Sequence, residues 1–200
     1  TLGGAVVSKK VKAFLRKNKP KEHWHINTSN DYVDTFQGLT KIIPLSPEKI
    51  LPHFIENHRI KSSFRENWLK KDNQLQNIFN NFLSKIEFCD LKAFELILDS
   101  IPNNSTVQLA NSTAVRYSNL FDQPAQKGLT CYSNRGTSGI DGSISTAVGA
   151  AQAKGELTTV ITGDLSFFYD SNALWISPFP KNLKIIIINN QGGSIFRIID

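Results

Sequence analysis

Asp164 and Asn190 are the residues whose types and spacing point most directly to chemistry. Asp164 stands in Gly163-Asp164-Leu165, Asn190 stands in Asn189-Asn190-Gln191-Gly192-Gly193, and 25 residues separate the two. A carboxylate, an amide oxygen and the backbone carbonyl of Gly192 are three hard oxygen donors. Such a set suits Mg²⁺, with Mn²⁺ as an alternative, and leaves coordination positions for phosphate oxygens. The pattern therefore points to a diphosphate held through a divalent cation. Read singly, Gly-Asp and Asn-Asn-Gln-Gly-Gly are ordinary turn sequences. What distinguishes them is that each follows directly on an apolar, β-branched run, residues 158–162 and Leu183–Ile188, the second with four consecutive Ile. Both runs read as buried strands. In open α/β sheets ligands gather beyond the carboxyl ends of parallel strands, so two acceptor clusters at two strand ends are expected to converge.

Positioning them requires a sheet, and the preceding sequence supplies one. Residues 106–109 read as its first strand and 130–133 as another. Residues 112–121 and 143–154 read as helices between strands, the latter stopped by Gly155. Alternation of this kind predicts an α/β fold, a parallel sheet with helices on both faces. The small-residue helix from Ser143 to Lys154 suits close packing on that sheet. Upstream, Trp68, Leu69, Leu75, Ile78, Phe79, Phe82, Leu83 and Ile86 recur at helical spacing, and Asp90 is expected to cap a helix running to Ser100.

The N-terminal portion reads as part of a second, small α/β domain. An amphipathic helix is predicted over residues 6–18, a short strand over 23–26, and a helix opening at Ser46-Pro47 and running to about Asn57. A domain boundary is expected in the polar stretch from Arg59 to Ser63, giving domains 1–60 and 61–200.

At 200 residues and 40% hydrophobic composition the chain can bury a core, which excludes disorder. The net charge of +6 is concentrated in Lys9, Lys10, Lys12, Arg16, Lys17, Lys19 and Lys21. With Val11, Phe14 and Leu15 at helical spacing and no aromatic interleaving, these read as a solvated helix face and not as a nucleic-acid surface. No apolar run reaches the length of a membrane span. Two isolated cysteines, Cys89 and Cys131, make neither a disulfide framework nor a zinc site, so a reducing cytoplasm is the expected setting. The four His share no metal-ligand spacing. A chain that begins with Thr, lacks Met and stops just after an active-site strand is expected to be an internal piece of something longer.

The paired motifs resemble the cofactor signature of thiamine-diphosphate enzymes. Leu165 departs from it, since most members carry Gly at that position. The block Ser133-Asn134-Arg135-Gly136-Thr137-Ser138-Gly139-Ile140-Asp141-Gly142, with residues 189–196, resembles one branch of the family, the enzymes that join 2-oxoglutarate to isochorismate in menaquinone biosynthesis. The resemblance implies that Asp164, Asn190 and the Gly192 carbonyl hold Mg²⁺ and thiamine diphosphate. Gly163, Leu165 and Ser166 would line the same cofactor site, with Ile140 as the apolar prop that keeps the cofactor bent. It further implies that Ser112, Arg116, Arg135, Lys9 and Lys10 bind the two diacid substrates, with Ile195 and Phe196 as an apolar wall. Two arginines buried at strand ends would be costly without anionic ligands. The reaction implied is decarboxylation of 2-oxoglutarate on the cofactor, then 1,4-addition of the four-carbon carbanion equivalent to isochorismate. A homodimer is implied, as is an activating Glu in an N-terminal domain outside this sequence, so the piece alone is expected to be inactive. An acetolactate synthase or simple 2-oxo acid decarboxylase would share Asp164 and Asn190 without needing both arginines. A dinucleotide-binding module would need a Gly-rich turn where this chain has Leu109-Ala110-Asn111-Ser112.

Overall fold

The computed structural model describes residues 1–3, 6, 8–57 and 61–193. These form two compact units, Thr1–Asp72 and Asn73–Asp200.

In the first unit, α1 (Lys9–Lys17) starts three residues after its expected onset at residue 6, because Ser8 caps it. The Ser8 hydroxyl accepts the Val11 N–H at 3.2 Å. Strand β1 (Trp24–Ile26) pairs in parallel with β2 (Lys41–Ile43), Trp24 opposite Lys41 and Ile26 opposite Ile43. The sequence reading missed β2, since three residues carry too little periodicity. Helix α2 (Pro47–Asn57) opens at Pro47 as expected.

Helix α3 (Phe64–Leu83) runs across the division between the units. In α4 (Asp90–Ser100) the cap is one residue earlier than the sequence predicts. Cys89, with extended backbone, occupies the cap without a side-chain bond, and Asp90 is the first helical residue. Its carboxylate is engaged elsewhere, as described below. Strand β3 (Thr106–Leu109) is buried throughout. Helix α5 (Thr113–Ser118) stops short of the expected residue 121. Ser118 bonds back to the Val115 carbonyl at 3.2 Å and Asn119 follows, both residues that compete with the helical backbone. A short α6 (Gln123–Gln126) and strand β4 (Thr130–Tyr132) come next. Helix α7 (Ser143–Lys154), strand β5 (Thr158–Gly163), helix α8 (Asp164–Tyr169), a 3₁₀ turn (Ser171–Trp175) and strand β6 (Leu183–Ile188) complete the described order.

The sheet order is β4-β3-β5-β6 and every pairing is parallel. Strand alternation divides the core between two faces. Val107, Leu109 and Ile161 face one way, in a cluster with Leu83, Phe94, Leu98 and Ile101 from the helices α3 and α4 and the turn after them. Thr106, Gln108, Thr158 and Val160 alternate to the other face, where α7 packs along β5 and β3 and buries Ile144, Ala147, Val148 and Ala151. The small side chains of α7 allow that close approach, and Gly155 ends the helix in a left-handed conformation at φ +68°. The start of α7 lacks a capping side chain of its own. Buried Asp170 supplies one from a distance, accepting the Ser145 N–H at 2.8 Å and the Ser145 hydroxyl at 2.5 Å.

One expectation is corrected. The Ile-rich β6 is not a buried strand: among the described residues it lies at the sheet edge and is only partly covered, with Ile187 40% exposed. Of its five apolar side chains Ile187 is exposed and the other four are half-buried. No helix among the described residues is long and apolar enough to cross a membrane.

Candidate functional site

From β3 the chain moves outward to β4, then crosses back to β5 on the other side and on to β6. The connections leaving β3 and β5 thus diverge and open a crevice beyond their carboxyl ends. A pocket of about 120 Å³ lies there, lined by residues following three strands. Asn111, Ser112 and Thr113 follow β3, Gly163 to Ser166 follow β5, and Asn190 and Gly193 follow β6, with Ile140 completing the lining.

Asp164 opens α8, its Oδ1 accepting the Leu165 N–H at 2.8 Å, so the carboxylate sits at the strand end. Ser166 turns inward, and its hydroxyl donates to the Ile140 carbonyl, which ties the loop before α7 to the start of α8. Beyond β6, Asn189 Oδ1 accepts the Gln191 N–H at 3.2 Å, and Gln191, Gly192 and Gly193 all take positive φ. This reversal is what the glycines permit. A Cβ on Gly192 would stand 3.6 Å from the Leu165 side chain. Leu165 thereby packs the β5 turn against the β6 turn. Asn190 donates through Nδ2 to Asp90 Oδ2 at 2.7 Å.

Ser112 has φ +72° and ψ −130°, a conformation that non-glycine residues adopt at a cost of roughly 1–3 kcal/mol. Beside it, Asn111 is buried and fully engaged: its amide donates to the carbonyls of Asn134 at 3.0 Å and Gly139 at 2.5 Å, and its oxygen accepts from Arg135 Nη1 at 2.8 Å. Asn134 is itself held, accepting from Gln108 Nε2 at 2.9 Å and donating to Thr146 Oγ1 at 3.0 Å. The Ser133-Asn134-Arg135 block is therefore locked onto the end of β3.

Six of the seven residues expected at the cofactor, Ile140, Gly163, Asp164, Leu165, Ser166 and Asn190, line this one pocket, and Gly192 adjoins it through Leu165. Among the residues expected at substrate, Ser112 lines it and Arg135 reaches its rim through Asn111. Arg116 departs from expectation: it is exposed on α5, so the cost of burying a guanidinium does not apply to it, and Arg135 is only half-buried. Neither forms a salt bridge, the one ion pair among the described residues being Lys92 with Glu95. Lys9 and Lys10 open α1 in the other unit. Ile195 and Phe196 lie outside the described residues. The sequence reading did not assign Asn111 and Thr113 to the site, small polar residues just after a strand, nor Gly193, which stands in the motif itself. It also missed Asp90 as a partner of Asn190, for which no local signal exists.

Among the described residues no three His, Cys, Asp or Glu side chains converge on a metal position. A cation held by Asp164 and Asn190 must therefore share its coordination with carbonyl and phosphate oxygens, as Mg²⁺ does when it keeps few protein carboxylates. The donors present fit that requirement. Near the pocket, the Tyr117 phenol on α5 is pushed above its ordinary range, first by burial and then by the Asp90 carboxylate and Cys89. Burial also pushes the Cys131 thiol up.

Fold and pocket together define an α/β domain with helices on both faces of a parallel sheet and a ligand crevice at the switch point of that sheet. No family model matches the chain. Over its whole length it is homologous to 2-succinyl-5-enolpyruvyl-6-hydroxy-3-cyclohexene-1-carboxylate synthases: 48% identical to those of Flavobacterium psychrophilum and Flavobacterium johnsoniae, and 41% to that of Bacteroides fragilis. All of the chain is covered in each comparison, and it spans about a third of the length of these curated relatives, 36%, 36% and 35% respectively.

Proposed function

We propose that the chain is the diphosphate-binding portion of a thiamine-diphosphate- and Mg²⁺-dependent synthase of menaquinone biosynthesis. The whole enzyme releases CO₂ from 2-oxoglutarate and adds the remaining four-carbon unit to isochorismate. The observation that carries this reading is the single crevice in which Asp164 and Ser166 after β5, Asn190 after β6 and Ile140 before α7 meet. The similarity to synthases of that name supports it.

Asp164 and Asn190 would hold the cation, Mg²⁺ or Mn²⁺, with the turn through Gly192 and Gly193 supplying a carbonyl. When bound, the cofactor supplies an electron sink for the decarboxylation. Ile140 would be its apolar support, with the Ile140 carbonyl accepting a hydrogen bond from the Ser166 hydroxyl. Ser112 and Arg135 would receive substrate carboxylates at the β3 side, Arg135 aligned by Asn111. Arg116 and the Lys9-Lys10 pair are assigned to the same anionic substrates, and Ile195 and Phe196 to an apolar wall. At about 120 Å³ the pocket is smaller than the ~300–1,000 Å³ of complete cofactor sites. That size supports a site completed by another domain, one that carries an activating Glu.

The domain limits we infer are 1–60 and 61–200, because a boundary before α3 leaves that helix whole, whereas a division at Asp72 cuts through it. A homodimer fits the exposed Phe168, Tyr169 and Trp175, which suit a protein partner, and a cytoplasmic setting fits the two free cysteines. The test is product formation by the full-length parent from isochorismate and 2-oxoglutarate with thiamine diphosphate and Mg²⁺. Consumption of 2-oxoglutarate without isochorismate, or pyruvate turnover to acetolactate, would move the assignment to another thiamine enzyme.

A further inference from the structure

Asp90 and Asn190 lie 100 residues apart in the chain and are joined by a 2.7 Å hydrogen bond from Asn190 Nδ2 to Asp90 Oδ2. A carboxylate accepts and does not donate, and an amide donates only through its nitrogen, so this contact fixes which end of the Asn190 amide faces Asp90. The oxygen diverges from the nitrogen at Cγ and is turned the other way. Asn190 is also a lining residue of the crevice that holds Asp164. An amide presented the wrong way round would offer a cation two N–H hydrogens in place of an oxygen.

We propose that Asp90 is a positioning residue for the divalent cation: it holds the Asn190 side chain with Oδ1 as the ligand atom, and so acts on the metal through Asn190. The inference rests on the metal reading of the Asp164 and Asn190 crevice. A bond between two such remote positions is not needed for the helix that Asp90 begins. Asp90 is the first residue of α4, where any small polar side chain is tolerated, yet its carboxylate is directed to the loop after β6. Partners behind a metal ligand typically change metal affinity by about 10–100-fold when removed.

The experiment titrates Mg²⁺ into the full-length parent at saturating thiamine diphosphate, reading cofactor binding by intrinsic fluorescence, with thermal unfolding of the metal-free protein alongside. Asp90→Ala and Asp90→Ser are expected to raise the half-saturating Mg²⁺ concentration about 10–100-fold. Asp90→Asn keeps an accepting oxygen and should stay within about threefold of the parent. Because Ser suits a helix start, Asp90→Ser separates loss of the bond from loss of helix stability. The double variant Asp90→Ala with Asn190→Ala should bind Mg²⁺ no more weakly than Asn190→Ala alone, since the first residue acts only through the second. Parent-like Mg²⁺ binding in Asp90→Ala and Asp90→Ser, or losses that add in the double variant, would overturn the inference while leaving the metal site intact. A parent whose cofactor binding ignores Mg²⁺ would instead remove the metal reading itself, and this inference with it.

Discussion

Arg135 Nη1 donates to Asn111 Oδ1 at 2.8 Å, and the same Asn111 side chain donates to the Asn134 and Gly139 carbonyls on either side of Arg135 in sequence. One buried amide thus anchors both the guanidinium and the loop that carries it. A guanidinium has five donors, and the bond to Asn111 uses one of them. Among the described residues the others meet no protein acceptor and can receive a carboxylate arriving at the end of β3.

Arg135→Ala in the full-length parent should therefore lower kcat/KM for one of the diacids by the amount typical of a lost charge-assisted contact, roughly 2–5 kcal/mol. Thiamine diphosphate affinity should hardly change. Arg116→Ala should cost less, because that side chain is exposed and loses less hydration on binding. Kinetics with each substrate varied in turn at saturating cofactor and Mg²⁺ provide the measurement. Normal kinetics in Arg135→Ala together with lower stability would make the Arg135 contact purely structural.

Asp164→Ala should remove Mg²⁺-dependent cofactor binding and leave the fold in place. The carboxylate supplies the only full negative charge among the proposed ligands, and a diphosphate without its bridging cation loses its main charge compensation. Among the described residues its side chain bonds only the neighbouring Leu165 N–H, at the start of a six-residue helix. Calorimetric titration of cofactor with and without Mg²⁺ checks the first half, and circular dichroism the second. Equal cofactor affinity in parent and variant would reduce Gly163-Asp164 to a turn.

Where the sequence carries enough periodicity, it reads directly as structure. β3, α7 and β6 run over the residues expected of them, and Gly155 stops α7 through its positive φ. The crevice lining was legible for a related reason: its residues sit directly after strands, so strand ends mark them. What escaped was either short or remote. Three residues of β2 and six of α8 cover less than two helical turns or a full strand alternation. The edge exposure of β6 depends on strand order, which composition does not encode. The bonds from Asn190 to Asp90 and from Ser145 to Asp170 join distant positions whose residue types are individually unremarkable. Their geometry exists only once the sheet has formed.

Ser112→Gly should make the protein more stable and the enzyme slower. At φ +72° and ψ −130° serine carries strain on the order of 1–3 kcal/mol, which glycine relieves. The added freedom of glycine in the unfolded chain costs about 0.4–1 kcal/mol, so strain relief outweighs it. The hydroxyl lost in the exchange lines the crevice. Denaturant unfolding and steady-state kinetics on the same preparation test both halves. A variant less stable than its parent would mean that the surrounding bonds, and not the serine backbone, set this conformation.

Alkaline pH offers a test of the packing around Asp90. The Tyr117 phenol is raised above its usual value near 10, first by burial and then by the Asp90 carboxylate and Cys89, and the Cys131 thiol is raised above its usual value near 9 by burial. In both cases the unfolded chain releases its proton at lower pH than the folded protein. The stability these groups contribute is therefore complete below their usual values and is lost as pH climbs through 9 for the thiol and 10 for the phenol, towards the raised folded values. Both side chains are partly accessible, so water screens the effect and the slope should be modest. Tyr117→Phe preserves the edge-to-face contact with Phe94, whose ring centroid is 5.5 Å away. It should flatten the decline in unfolding free energy between about pH 9 and 11 without a large change at neutrality. Asp90→Asn should lower the pH at which Tyr117 ionises, read as the ultraviolet difference from Tyr117→Phe in the same background. An unchanged tyrosinate titration in Asp90→Asn would mean that the Asp90 carboxylate does not act on this ring.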